Sequence, residues 1–512
     1  MKKKIIAIIV AIVLMIPLSN GWYGFLLYFF DVKIASSTQL KFEIRSYTEV
    51  EVVGYDSDLH GSITIPEKIR IGLYEYKVTG IGSYAFEGCS SLTSIKIPKG
   101  VTDIGYMAFY GCRRLTSINI PEGVTSIDDL AFEGCYNLTS INIPKSVTNI
   151  GYKAFYGCSG VTSINIPEGV TSIEDYAFEG CSSLTSINIP ESVTSIGKEA
   201  FSECNSLEPK LLVYDKGTKC YGWIGNKEKC TDVVIPEGVT SIADYAFEGY
   251  SSLTSINIPE SVTNIGYKAF YGCSGVTSIN IPEGVTSIGY NAFEGCSSLT
   301  CINIPESVTS IGEEAFKGCD SLEPKLLVYD KGTECYGWIG NKEKCTDVMI
   351  PNSVTSIKRW AFYGCSSLTS INIPEGVTSI GEEAFEGCSS LTSINIPESV
   401  TSIGYAAFYG CDNLEPKLLV YDKGTECYGW IGNKEKCTDV MIPEGVTSIG
   451  DRAFDGCSSL TNIKIPKSVT SIGYKAFYGC SHLDIVIDNS KNKVEVGWYA
   501  FENCKSVKWL KD

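Results

Sequence analysis

The sequence predicts a β-rich solenoid of stacked 23-residue coils, and three observations carry that prediction. An alanine recurs at Ala85, Ala108, Ala131, Ala154, Ala177 and Ala200, always 23 residues apart. Between these alanines lies the same apolar skeleton, as in "AFYGCRRLTSINIPEGVTSIDDL", 108–130. Where the metre is interrupted, from Ala200 to Ala246, Ala315 to Ala361 and Ala407 to Ala453, the gap is 46 residues, twice the period. A Leu/Ile skeleton repeating every 20–29 residues marks a chain of identical units, none of which can bury its apolar side alone.

Taken in order, the chain opens on an export segment. Lys2, Lys3 and Lys4 precede an apolar run from Ile5 to Leu18, the charged and apolar regions of a signal peptide. A second apolar stretch, Trp22 to Phe30, follows, so residues 1–37 fit a cleaved signal, cut after Gly21 or Ser37, and equally an uncleaved anchor. The positive amino end then stays inside and the rest is delivered outside. No lipid-accepting cysteine follows the apolar run, and Lys505 to Asp512 carries no apolar tail. Residues 38–84 are strand-rich and approach the repeat through "SITIP" and "VTGIG". They are read as an amino-terminal β cap, since an open rung invites pairing with another molecule.

The repeat occupies 85–482. In each coil "TSINIP" alternates apolar and polar residues with β-branching, a short strand closed by proline. "VTSIG" is a second short strand closed by glycine, and "AFEGC" turns the corner as a helical or 3₁₀ turn. Stacked at about 4.8 Å per rung, such coils form parallel ladders around a continuous apolar interior. The variant stretch "LLVYDKGTKCYGWIGNKEKC", 211–230, returns at 326–345 and 418–437 with one Lys→Glu change. Because it keeps the register, the variant coils (about 208–236, 323–351 and 415–443) are read as further rungs of the spiral and not as a separate site. On the 23-residue grid Trp223, Trp338 and Trp430 take the alanine position, and Cys230, Cys345 and Cys437 the leucine position. Residues 483–512 break the consensus and are charged, as a carboxy-terminal cap should be.

The repeat "LTSINIPEGVTSI", followed by Ala-Phe and Cys at fixed spacing, resembles the BspA-like, or treponemal, class of leucine-rich repeats over most of the chain. The resemblance implies an exported surface protein that binds host proteins or other cells; members are typically adhesins or surface antigens of mucosal microbes. It brings no catalytic residues, no cofactor and no metal. A repetitive structural or decoy antigen without a defined ligand is the alternative.

Composition agrees. A net charge of −17 would repel nucleic acid phosphates, and contact with a membrane is expected only through the amino-terminal segment. The chain has only two histidines, His60 and His482, at opposite ends, and no Gly-rich phosphate loop, so an enzyme is not expected. Fifteen of the 22 cysteines share one repeat position, from Cys89 to Cys504; their parallel side chains suit a buried thiol ladder more than bridges. Cys220 and Cys230, Cys335 and Cys345, and Cys427 and Cys437 stand ten residues apart, and a disulfide within each pair fits an exported setting. Glu237, Glu260, Glu283 and Glu306 stack without an Asp-rich calcium loop.

Two surfaces are candidates for binding. The outward strand positions hold small polar residues, among them Ser117, Asn119, Asn142, Asn165 and Asn188. The position after Ala-Phe holds tyrosine at Tyr110, Tyr156, Tyr271, Tyr363 and Tyr409 and glutamate in other coils. Many weak identical contacts there would raise avidity, although a plain solvated face and ordinary tyrosine packing explain the same residues.

Overall fold

The computed structural model describes residues 34–35, 39–55, 59–421 and 423–511, so nearly all of the export segment over 1–37 lies outside the described residues. Among the described residues no helix is long and apolar enough to cross a membrane. The chain divides into two compact units, Met1–Cys230 and Thr231–Asp512, and each is a β-solenoid of the predicted coils.

A regular coil of the first unit shows how 23 residues close one turn. Ser117–Asn119 forms a strand that pairs in parallel with Ser140–Asn142, residue for residue one period on. Alternation sends Ile118 inward, 5% exposed, and leaves Ser117 and Asn119 in solvent. Pro121 then removes a donor and stops the strand. Ser126–Ile127 forms the second rung and pairs with Asn149–Ile150. Leu115, Ile118, Ile120, Val124, Ile127, Ala131, Phe132 and Cys135 are buried together, each large apolar side chain contributing about 1.5–3 kcal/mol by leaving water. The phenylalanines stack along the interior: Phe86, Phe109 and Phe132 follow one another at 5.2 Å with nearly parallel rings.

The corner differs from the expected helical or 3₁₀ turn. Met107 and Gly111 have φ of +53° and +68°, and this left-handed placing turns the amides in alternation. Met107, Phe109 and Gly111 donate to the carbonyls of Asp129, Ala131 and Glu133 in the next coil, at 3.1, 2.8 and 2.7 Å. Ala108, Tyr110 and Cys112 instead donate locally, to Gly105, Met107 and Phe109. A 3₁₀ turn would use every amide locally; here every second one serves the neighbour. Among the described residues the 3₁₀ turns fall elsewhere, at Lys227–Lys229, Lys342–Lys344, Lys434–Lys436 and Lys491–Lys493. In the first three an asparagine side chain accepts the amide of the glutamate, as Asn341 does from Glu343.

Before the first regular coil, Leu40–Ile44 and Glu49–Tyr55 pair antiparallel, and Glu49–Val52 runs parallel to Tyr74–Ile81. Tyr74–Ile81 in turn joins Asp103–Ile104 of the solenoid ladder. Arg45 ties this edge down with ion pairs of 2.7 Å to Glu51 and to Asp103. In the second unit Asn462–Ile465, Asp484–Ile487 and Ser506–Trp509 form a parallel set at its end.

The variant coils are built otherwise. Lys325–Tyr329 and Glu334–Ile339 form an antiparallel hairpin, where the sequence reading had only parallel rungs. Its turn carries Asp330, Lys331 and Gly332, all left-handed. Lys417–Tyr421 with Glu426–Ile431 repeats it, and Lys210–Tyr214 with Lys219–Ile224 does so in the first unit. The spiral nonetheless continues: Glu334 and Cys335 pair in parallel with Ser356 and Ile357. That pairing is one residue short of the 23-residue metre. The metre therefore slips by one within the variant and recovers, since Val348 pairs with Ile371 at the full period. The slip moves the tryptophan. Trp338 and Trp430 donate their amides to Ala361 and Ala453, both at 2.8 Å. Phe362 makes that bond to Ala384 in a regular coil, so these tryptophans stand in the phenylalanine position, not the alanine position of the grid. Cys345 falls, as expected, where Leu368 lies in the next coil.

Candidate functional site

The strand face is where the sequence placed it. Ser117, Asn119, Asn142, Asn165 and Asn188 are exposed and lie in register along one parallel sheet of the first unit. Asn188 donates its side-chain amide to Asn165 at 3.4 Å. Exposed threonine hydroxyls tie successive coils beside the ladder, such as Thr116 to the Thr93 carbonyl at 3.1 Å.

The tyrosines divide into two groups. Tyr110, Tyr156 and Tyr271 are half-buried. The Lys153 ammonium lies 4.6 Å from the Tyr156 ring centre, and Lys268 stands over Tyr271 at the same distance. Tyr363 and Tyr409 are 43% and 47% exposed. These two line clefts that the sequence reading did not anticipate.

Both clefts lie in the second unit at its variant coils, with volumes of about 300 and 230 Å³. Their cause is a displaced strand. Gly337 has φ +96°, and a Cβ there would stand 1.7 Å from the Ala361 carbonyl oxygen; Gly429 meets Ala453 in the same way, at 1.9 Å. Only glycine lets the hairpin strand press this closely on the following coil. The gap is left on the other side. In the preceding coil, among the described residues, the amides of Glu314, Phe316 and Gly318 find no backbone acceptor, and neither do those of Ala406, Phe408 and Gly410. The corresponding amides of Asn291, Phe293 and Gly295 all donate to the next coil. The phenylalanine stack shows the same break: Phe293 stacks on Phe316 at 5.5 Å, and Phe362, Phe385 and Phe408 start a new run.

The walls are aromatic and of mixed charge. In the larger cleft Arg359 lies 3.9 Å over the Trp360 ring and pairs with Glu382 at 3.3 Å and with Glu313 at 3.7 Å. Lys358 pairs with Glu334 at 2.5 Å and Lys317 with Glu314 at 2.6 Å. In the smaller one Arg452 faces the Tyr405 ring at 5.4 Å and Lys434 the Tyr409 ring at 4.9 Å. In the larger cleft the charges are thus largely paired within the walls, and both clefts offer aromatic surface beside backbone donors.

Comparison with known proteins follows the repeat. The sequence profile of the BspA type leucine rich repeat region matches residues 79–208, 224–329, 339–419 and 431–511, well over half of the chain. The chain belongs to this family. The gaps between the matched segments fall on the three hairpins. A search of curated proteins found no match. Among solved structures, a leucine-rich repeat protein from Bacteroides ovatus is 29% identical over 94% of this chain and 100% of its own, with a TM-score of 0.41. A leucine rich cell surface protein from Faecalibacterium prausnitzii is 29% identical over 91% of this chain and 97% of its own, with a TM-score of 0.32. A leucine-rich repeat protein from Eubacterium ventriosum is 23% identical over 74% and 94%, with a TM-score of 0.41.

In this BspA-type solenoid the thiol ladder has a hydrogen-bonding part. Cys112 donates to the Phe86 carbonyl at 3.2 Å and Cys135 to the Phe109 carbonyl at 3.3 Å, each reaching the preceding coil. Burial pushes the Cys135 thiol up to about 12, so it stays protonated. The six cysteines expected to bridge in pairs, Cys220, Cys230, Cys335, Cys345, Cys427 and Cys437, are all buried, and no disulfide joins the members of a pair. Cys335 and Cys427 occupy isoleucine positions in the second ladder, opposite Ile357 and Ile449. Cys345 instead meets the thiol of Cys365, and Cys437 that of Cys457.

Proposed function

We propose that the chain is an exported cell-surface binding protein that attaches its cell to host proteins or to other cells through repeated contacts along the solenoid. The observation that carries this reading is the in-register, solvent-exposed ladder of identical Ser and Asn side chains, which presents one weak contact many times over. The lysine-led apolar segment at the amino end supports delivery outside the cell, and membership of the BspA-type family supports a surface role. The test is display of the full chain on a non-adherent bacterium, followed by retention on epithelial cells and on immobilised matrix proteins. Retention that rises with display level and is competed by purified protein is expected; display without retention on any of these surfaces defeats the reading.

A further inference from the structure

We propose that the cleft in front of each variant coil of Thr231–Asp512 takes a polypeptide segment of a partner protein, folded as a regular corner is, whose backbone carbonyls complete the interrupted corner ladder. The molecule itself shows what the occupant must look like. In regular coils the amides of Trp360, Phe362 and Gly364 are met by the carbonyls of Glu382, Ala384 and Glu386, every second residue of one chain segment, at 3.0, 2.7 and 2.7 Å. In front of the variant coils the same three donors, at Glu314, Phe316 and Gly318 and again at Ala406, Phe408 and Gly410, line the cleft without a backbone acceptor among the described residues. In the regular coil those carbonyls come from a turned segment, with Glu383 and Gly387 left-handed at φ +52° and +73° and Glu386 bonded back to Glu383, so the row of amides is matched by a polypeptide that takes this corner form and sets alternate carbonyls on one side. A sugar has hydroxyls but no such regular row of carbonyls, so the donors favour peptide over glycan, and the aromatic walls, Tyr290, Trp360 and Tyr363 among them, are left to read its side chains. Two independent copies of the device in one unit mark it as a feature of the variant coil and not an accident of one cleft.

This inference gives the proposed binding function a site and rests on that reading for the partner's being a protein met outside the cell. Its test uses the full chain and a synthetic peptide of residues 379–389 carrying Cys388→Ser, the segment that supplies these carbonyls within a regular coil. In free protein, hydrogen exchange at Glu314, Phe316, Gly318, Ala406, Phe408 and Gly410 should run about 100-fold or more faster than at Asn291, Phe293 and Gly295. Added peptide should bind saturably and slow exchange at those six amides about tenfold or more, and Tyr290→Ala with Tyr363→Ala should weaken peptide binding with the fold unchanged by circular dichroism. Equal exchange at the two sets in free protein overturns the proposal, as does peptide that fails to bind or that protects only the Ser/Asn strand face. Cell retention unchanged in the Tyr290→Ala/Tyr363→Ala chain assigns adhesion to another surface and counts against the clefts, whereas peptide capture by a chain that retains no cells leaves the clefts standing and removes the adhesion reading.

Discussion

A regular coil such as 108–130 and a variant coil such as that at about 323–351 treat their neighbours in opposite ways. The regular coil bonds evenly to both sides, through three corner amides given to the next coil and three accepted from the one before. The variant coil keeps its rung with the following coil and presses so closely on it that Gly337 has no room for a Cβ. It leaves the preceding coil's amides unmatched. Uniform stacking therefore builds a closed interior, and one displaced strand is enough to open a cleft in it.

The sharpest separation of the two coil types should come from their phenylalanines. Phe132 is stacked on both sides, by Phe109 and Phe155, and Phe132→Ala should cost about 3–5 kcal/mol in urea unfolding. Phe316 is stacked on Phe293 and borders the cleft, so Phe316→Ala should cost roughly half as much; equal losses would show that the variant coil closes over Phe316 in solution. Gly337→Ala should cost about 2–4 kcal/mol from backbone overlap and left-handed strain together. Gly111→Ala, with φ +68° but nothing nearer than 3.9 Å, should cost only about 1–2 kcal/mol. The ordering of the two glycines, read by thermal melts, tests the displaced strand directly.

Chemistry should follow geometry at the thiols. These thiols are buried, so diamide, which accepts the two electrons and two protons released, should act only as the coil opens locally, and should then link Cys345 to Cys365 and Cys437 to Cys457 in peptide maps. A Cys335–Cys345 bridge would instead place the hairpin differently. The smallest effect concerns a regular corner. Burial raises the Glu133 carboxyl above its ordinary value, opposed by the nearby Lys153 charge, and its Oε2 is buried without a hydrogen-bond partner. A raised folded pKa means that ionisation costs stability once pH exceeds that value and costs nothing below the unfolded value near 4.5. Glu133→Gln should thus gain a few tenths of a kcal/mol at pH 7, and the gain should vanish as pH falls toward 4.5.

The rungs and the interior were legible because each coil restates them: Ile118 recurs as Ile141 and Ile164, and burial follows the alternation without exception in these strands. The corner was not. Its alternating amides depend on a left-handed residue before each alanine, and that position holds Met107, Leu130, Lys153 or Tyr176, side chains that give no sign of positive φ. The hairpin did leave a signal, since "DKG" between two strand-forming runs marks a tight turn. It was hidden by the preserved spacing of 46 residues, which conceals a slip of one residue in one direction followed by its reversal. The strand face could be read from composition, whereas the clefts could not, because they are made by the absence of a neighbour.

The unmatched amides also decide where such a chain yields under load. Were the chain to tether a cell as proposed, tension pulling neighbouring coils apart would meet three corner bonds at each regular step of 360–387 and, among the described residues, none of them at Glu314–Gly318 or Ala406–Gly410. Tearing would start at those two seams, and the runs of regular coils between them would part as whole cassettes with their interiors still dry.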